Sequence, residues 1–214
     1  MSLVPFQADG KIIGITGSIG AGKSLVTEYL KEKGYAVIDF DAVAKEIRAI
    51  PKVRKELIEI YGTDDNKMIR LLIGKRPEKS QALSQLVAVP ALMEAMKRTN
   101  RFFKDGHKAV FWEAALLIET KTFKTMHGII LVSASEEARI ERVKSRDNVG
   151  PEYITPMIKQ QYSEDEKKNL VNTQGPSHVV LENNGTKEEF KMQLASLEPW
   201  IQTVIAPPKP VVDN

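Results

Sequence analysis

The 214-residue chain has no cysteine. That excludes disulfides, thiolate zinc sites, iron–sulfur clusters and cysteine nucleophiles together. Three histidines are too few for a histidine-rich metal centre. No apolar run reaches the ~18 residues a membrane helix needs. Met1–Gly10 has neither the basic segment nor the apolar core of a signal peptide. The chain is therefore expected to be cytoplasmic. Excess charge is also scarce: 31 Lys and Arg stand against 28 Asp and Glu, a net of +3. That bias is too slight to argue for a nucleic-acid partner, yet it would not repel a polyphosphate. With 42% hydrophobic and 28% charged residues, the composition is that of one globular domain with room for a small subdomain. It excludes disorder over most of the length, a collagen-like repeat and a coiled coil.

What is present is an alternation of short apolar runs and helical periodicity. Lys11–Thr16 is an apolar run ending at a glycine-rich turn, as expected of a strand buried on both faces. Leu25, Val26, Tyr29 and Leu30 then recur at helical spacing. Ala36–Ile38 is a second strand, Asp41 opens the next helix, and Pro51 starts another at its first position. This β-α-β-α order argues for a parallel sheet. Further strands are expected at Lys108–Trp112, Gly128–Ser133 and His178–Leu181. Helices are expected at Gln81–Phe103, Glu136–Asp147, from Pro151, around Ser163–Leu170, and at Glu188–Val204. The polar stretch Gly62–Ser80 reads as a connector with one short helix, and the tail from Ala206 is proline-rich.

The strongest chemical signal is Gly17-Ser-Ile-Gly-Ala-Gly-Lys23-Ser24, a complete G-x-x-x-x-G-K-[ST] between an expected strand and an expected helix. Glycines let successive backbone N–H groups turn inward around a phosphate chain. The helix N-terminus adds unpaired N–H groups and the positive end of its dipole. Lys23 can reach β- and γ-phosphates, and the Ser24 hydroxyl can ligate Mg²⁺.

Other candidates are less specific. Asp39-Phe-Asp41 stands at the carboxyl end of the second strand, where ligands bind in open α/β sheets. One carboxylate could hold Mg²⁺ through water or take a proton from an attacking hydroxyl, or Asp41 could simply cap the next helix. Glu113 ends the third strand where a second carboxylate can face the metal, and it could equally be a solvated acid. Arg139, Arg142 and Arg146 form one helical stripe, suited to clamping phosphoryl oxygens or to a surface ladder with Glu137 and Glu141. His107, His127 and His178 share no spacing and read as structural. Trp112 and Phe102-Phe103 read as core, and Glu164–Lys168 as a solvated helix face.

Four blocks carry a family resemblance. These are Ile12–Ser24, Gly34–Asp41, the stretch Arg142–Asp147 with Gln161 and Glu166-Lys167, and Val180–Gly185. In that order they resemble the P-loop, D-x-D, lid and C-terminal blocks of dephospho-coenzyme A kinases. Two blocks depart from the family pattern. Glu113-Ala-Ala-Leu-Leu-Ile-Glu119 stands where the family has D-x-P-L-L-x-E, and Val89-Pro90 where it has His-Pro; Arg70 is matched to a family arginine.

The resemblance implies ATP-dependent phosphorylation of the ribose 3′-hydroxyl of dephospho-coenzyme A, the last step of coenzyme A biosynthesis, with ATP and Mg²⁺. It implies a three-layer α/β P-loop fold with five parallel strands in order 2-3-1-4-5. One domain would span the chain, with a helical acceptor-binding excursion over about 62–105, a lid over about 147–170 and a frayed tail at 206–214. By the same resemblance, Gly17, Ser18, Ile19, Gly20, Ala21, Gly22, Lys23, Ser24 and Leu25 hold the nucleotide, and Asn183 lies near its adenine. Lys23, Asp41, Arg142 and Arg146 are the catalytic set, and Ser24, Asp39 and Glu113 face the metal. A monomer with a small-molecule substrate and no nucleic-acid or membrane partner is expected. The residues alone leave open a nucleoside or nucleoside monophosphate kinase, or a nucleotide-binding protein without catalysis.

Overall fold

The computed structural model describes residues 10–66, 68–69, 72, 79–148, 150–159 and 161–206. Arg70, Gly74, Pro77 and the tail beyond Ala206 lie outside the described residues. The chain forms two compact units. One holds the chain up to Val37 and from Phe102 onward; the other is Ile38–Arg101.

In the first unit, β1 (Lys11–Thr16), β3 (Ala109–Glu113) and β4 (Gly128–Ser133) are buried along nearly their whole length. Their unbroken apolar runs have no polar face to turn to water, as the sequence suggests. Strands β2 (Ala36–Asp39) and β5 (Ser177–Glu182) complete a sheet of order β2-β3-β1-β4-β5. The β1–β3, β1–β4 and β4–β5 ladders are parallel, with Ile13 opposite Phe111 and Ile15 opposite Ile130. The central strand β1 connects to one side of the sheet while the β3–β4 connection crosses to the other. The loops at their carboxyl ends therefore diverge, and in open α/β sheets ligands bind at such a point.

The helices of this unit are α1 (Lys23–Glu32), α5 (Glu136–Asp147), α6 (Pro151–Lys159), α7 (Glu164–Gln174), α8 (Lys187–Ala195) and α9 (Leu197–Ile205). Val26 and Leu30 of α1 pack with Ile13, Ile15, Phe111 and Ile130 of the sheet and with Phe190, Leu194 and Ile201. The last two helices correct the single helix expected over Glu188–Val204. Pro199 has no N–H for the Ala195 carbonyl, and its ring would collide with that oxygen, so the chain breaks at Ser196 and restarts.

The second unit carries α2 (Phe40–Ala49), α3 (Pro51–Tyr61) and most of α4 (Val89–Lys104). Leu57, Tyr61, Ile69 and Val87 form its core, joined by Ala44, Ile47, Val53, Leu83 and Leu86. The helix expected over Gln81–Phe103 is not uniform: Ser84–Ala88 is a π turn, with Val89 N–H donating to the Ser84 carbonyl. Pro90 follows at once. It cannot bond the Leu86 carbonyl, and the widened turn relieves the clash.

Among the described residues no helix is long and apolar enough to cross a membrane.

Candidate active site

The glycine loop stands at the carboxyl end of β1, between that strand and α1. Gly17 and Gly22 show why the loop needs glycine. Both have positive φ, and a β-carbon at Gly17 would overlap the Val132 carbonyl oxygen, at Gly22 the Asn183 side chain. Gly22 leads into α1 with no side-chain cap, and the start of a helix carries the positive end of its dipole, which favours an anion. Lys23 Nζ donates to the Gly17 carbonyl at 2.9 Å and the Ser18 carbonyl at 3.3 Å. Ser24 is exposed on the first turn of α1. Ala21 is buried, and Leu25 packs against the core.

Asn183, at the end of β5, is buried and ties the loop from behind. Its amide donates to the Ala21 carbonyl at 2.8 Å, and its backbone N–H to Ser133. Arg142 donates to the Asn183 carbonyl at 2.8 Å and to the Gly20 carbonyl at 3.4 Å. The structure thus joins Arg142, Asn183 and the loop in one group. Arg146 is directed elsewhere, pairing in two-pronged fashion with Asp147 at 2.8 and 2.9 Å on the exposed end of α5. Arg139 is not part of the surface ladder considered for it. It is 5% exposed and donates to the Ala134 carbonyl at 3.2 Å, because its place on α5 faces the loop instead of solvent.

Glu113 accepts a hydrogen bond from Thr27 Oγ1 at 2.5 Å, one helical turn beyond Ser24. Hydroxyl and carboxylate oxygens are the donors Mg²⁺ takes. Among the described residues no three His, Asp or Glu side chains converge on a metal position. An ion there would therefore rely mainly on phosphate oxygens and water.

The aspartate pair lies where the second unit begins. Asp39, not Asp41, is the N-cap of α2, and its Oδ1 accepts from Asp41 N–H at 2.8 Å and Ala42 N–H at 3.0 Å. The capping role considered for Asp41 is thus corrected, because the helix begins at Phe40, two residues earlier than an Asp41 cap would require. Asp41 sits exposed in the first turn, where its charge suits the helix dipole.

Sequence reasoning missed what grips the loop's tip. Gln161 Oε1 accepts from Ile19 N–H at 2.9 Å. Ser18 Oγ accepts from Lys167 Nζ at 2.6 Å and donates to the Glu164 carboxylate. The run Glu164–Lys168 is therefore no solvated face, since Lys167 is fully buried. A signal was present: Glu164, Lys167 and Val171 share one helical stripe, and Val171 is apolar. Burial pushes the Lys167 ammonium below its ordinary value, and the charges of Glu119 and Glu164 oppose that shift. The imidazole of His127 accepts from Ile12 N–H at 3.0 Å, a structural role as expected.

Residues 11–189 match the family model described as dephospho-CoA kinase. A dephospho-CoA kinase of Bacillus cereus is 32% identical over 202 residues, covering 88% of this chain and 96% of the relative. One from Oryza sativa subsp. japonica is 29% identical, covering 85% and 80%. A Thermus thermophilus crystal structure superposes with a TM-score of 0.74 at 31% identity, over 90% of this chain and 98% of its own. A dephospho-CoA kinase from Campylobacter jejuni superposes with a TM-score of 0.61 at 18% identity, over 90% and 97%; at that identity the likeness speaks for the fold.

Proposed function

The chain belongs to the dephospho-CoA kinase family, and from that premise we infer that its glycine loop carries the transfer of a phosphoryl group from ATP to the ribose 3′-hydroxyl of dephospho-coenzyme A, giving coenzyme A and ADP. The observation that supports these roles most is the loop itself. Lys23 and the uncapped start of α1 converge at the carboxyl end of the central strand.

In this reading the loop amides and Lys23 hold the β- and γ-phosphates. Anionic phosphate oxygens replace the neutral Gly17 and Ser18 carbonyls as acceptors for Lys23, and charge-assisted hydrogen bonds are about twice as strong as neutral ones. Arg142 supports the loop through Gly20 and Asn183, and in this reading it neutralises charge developing on the transferred group. Arg146 would have to leave Asp147 to join it. Asp41 takes or orients the 3′-hydroxyl proton. A loose phosphoryl-transfer transition state asks for little base strength. Ser24, with Glu113 and Asp39 as the carboxylates assigned to the metal by the resemblance, would hold Mg²⁺, which neutralises phosphate charge when bound. Asn183 acts through Ala21, fixing the loop beside the adenine end of the nucleotide. The reading takes the chain as a cytoplasmic monomer with the excursion over about 62–105 on the acceptor side.

The test is product identity. Incubated with ATP, Mg²⁺ and dephospho-coenzyme A, the protein should yield ADP and a product bearing a new ribose 3′-phosphate by phosphorus NMR. ADP release without that product would overturn the assignment.

A further inference from the structure

Beneath the tip of the glycine loop lies a buried ionic cluster that phosphoryl transfer does not itself use. Lys167 Nζ bonds Ser18 Oγ at 2.6 Å and lies 3.3 Å from Glu119 Oε1. Ser18, 1% exposed, donates onward to the Glu164 carboxylate. Arg139 Nε stands 3.9 Å from the same carboxylate. Glu119 also accepts Tyr162 N–H at 3.1 Å, just before α7. Two cations and two carboxylates thus balance around one serine hydroxyl.

Such a cluster is a poor way to gain stability. Desolvating the charges is costly, and well-packed apolar side chains often do as well or better. Its satisfaction is also incomplete, since Glu119 Oε2 and Glu164 Oε2 are buried without a hydrogen-bond partner. What the ions supply that an apolar contact would not is direction. They hold the Ser18 side chain, and with it the Cα that carries its carbonyl group, in one place. The carbonyl of that same residue accepts Ala21 N–H at 3.1 Å and Lys23 Nζ at 3.3 Å. The path from Lys167 to the catalytic lysine is therefore one side chain and one peptide long.

We propose that Lys167 is a positioning residue of the glycine loop, acting through Ser18 Oγ to set the peptide plane from which Lys23 and the loop amides meet the transferred phosphoryl group. This rests on the phosphotransferase reading above and deepens it by assigning the loop a buried support on α7. Ser18, Glu164 and Glu119 serve that support.

The experiment compares Lys167→Met, Ser18→Ala and the double variant with the parent protein. It reads kcat and KM for ATP, melting temperature, and slow ATP hydrolysis without acceptor. Each single variant should lose about 10- to 100-fold in kcat, the scale of a sub-ångström to 1 Å misplacement. KM for ATP should change little, since the lost contact acts in the transition state. The double variant should fall no further than the worse single one, because both break the same link. Ser18→Ala removes one oxygen and leaves every charge in place, so it decides the matter should Lys167→Met fail to fold. A folded Ser18→Ala protein with parental kcat overturns the proposal, and so does a double variant whose losses multiply. Acceptor-independent hydrolysis keeps the two readings apart. If the parent hydrolyses ATP but does not phosphorylate dephospho-coenzyme A, the acceptor assignment fails, while the effect of Ser18 on the loop is still measured.

Discussion

Lys23 and the aspartate pair carry the sharpest residue-scale consequences. Lys23 bonds two carbonyls of its own loop, so its removal leaves the backbone path intact while deleting a cation at the phosphates. Lys23→Ala should lower kcat by about 10²–10³-fold, the usual worth of one transition-state contact, in a protein that still melts cooperatively. A folded variant at parental kcat would contradict the role. The aspartates separate structure from chemistry. Asp39 caps α2 through two N–H bonds, so Asp39→Ala should cost about 0.5–2 kcal/mol of stability, while Asp39→Asn should cost little. Asp41→Asn should cost only about 0.3–1 kcal/mol of stability and leave ATP affinity unchanged, yet lower kcat by about 10²–10⁴-fold. Parental activity in folded Asp41→Asn would remove it from the mechanism. The loop is legible in the sequence because its requirement for glycine, lysine and serine is met within eight consecutive residues. The burial of Lys167 is not, because its partner Ser18 lies 149 residues away. The helical stripe it shares with Val171 hints that it faces inward, but nothing local names the partner that receives its charge.

Elements follow the same divide between local and distant causes. The unbroken apolar runs mark β1, β3 and β4 because a strand covered on both faces has no polar side. The helix starts at Ser135, Ser163 and Thr186 are equally local, each side chain capping its own first turn. The break at Ser196 and the π turn before Pro90 show periodicity overruled by proline geometry, a signal that was present but outweighed by the longer apolar pattern. Tyr35, just before β2, binds α9 to the sheet. Its hydroxyl donates to Glu198 at 2.6 Å, and its ring meets Phe111 edge-on with centroids 5.2 Å apart. Burial first, then Glu198, raises its pKa from 10.0 to about 12. A phenol held protonated by the fold adds stability that is fully present below pH ~10 and is lost as pH rises through the folded value. The difference between the phenolate absorbance titrations of the parent and Tyr35→Phe should therefore have its midpoint near 12, and the gap in melting temperature should shrink over the same range. A midpoint near 10 would show that the contact with α9 does not hold the proton.

At the scale of the whole molecule, strand order was the least legible feature. Alternating β and α elements argue for a parallel sheet, but which strand neighbours which depends on pairings such as Ile15 with Glu113, 98 positions apart. The order 2-3-1-4-5 came from the family resemblance, and the structure bears it out. That order places the glycine loop over the middle of the sheet, flanked by Glu113 on one side and by Ser133 with Asn183 on the other. The resemblance marks the acceptor side as the place to test, because Glu113 and Val89-Pro90 depart from the pattern it implies. A pantetheine arm offers binding energy that adenosine and AMP lack, and such energy can be used to raise kcat/KM. The most direct measurement is a coupled ADP-release assay giving kcat/KM for dephospho-coenzyme A, AMP and adenosine side by side, with Lys23→Ala as the inactive control. Dephospho-coenzyme A should be preferred over both smaller acceptors. Equal or higher kcat/KM for AMP would contradict the account and make the chain a nucleotide kinase.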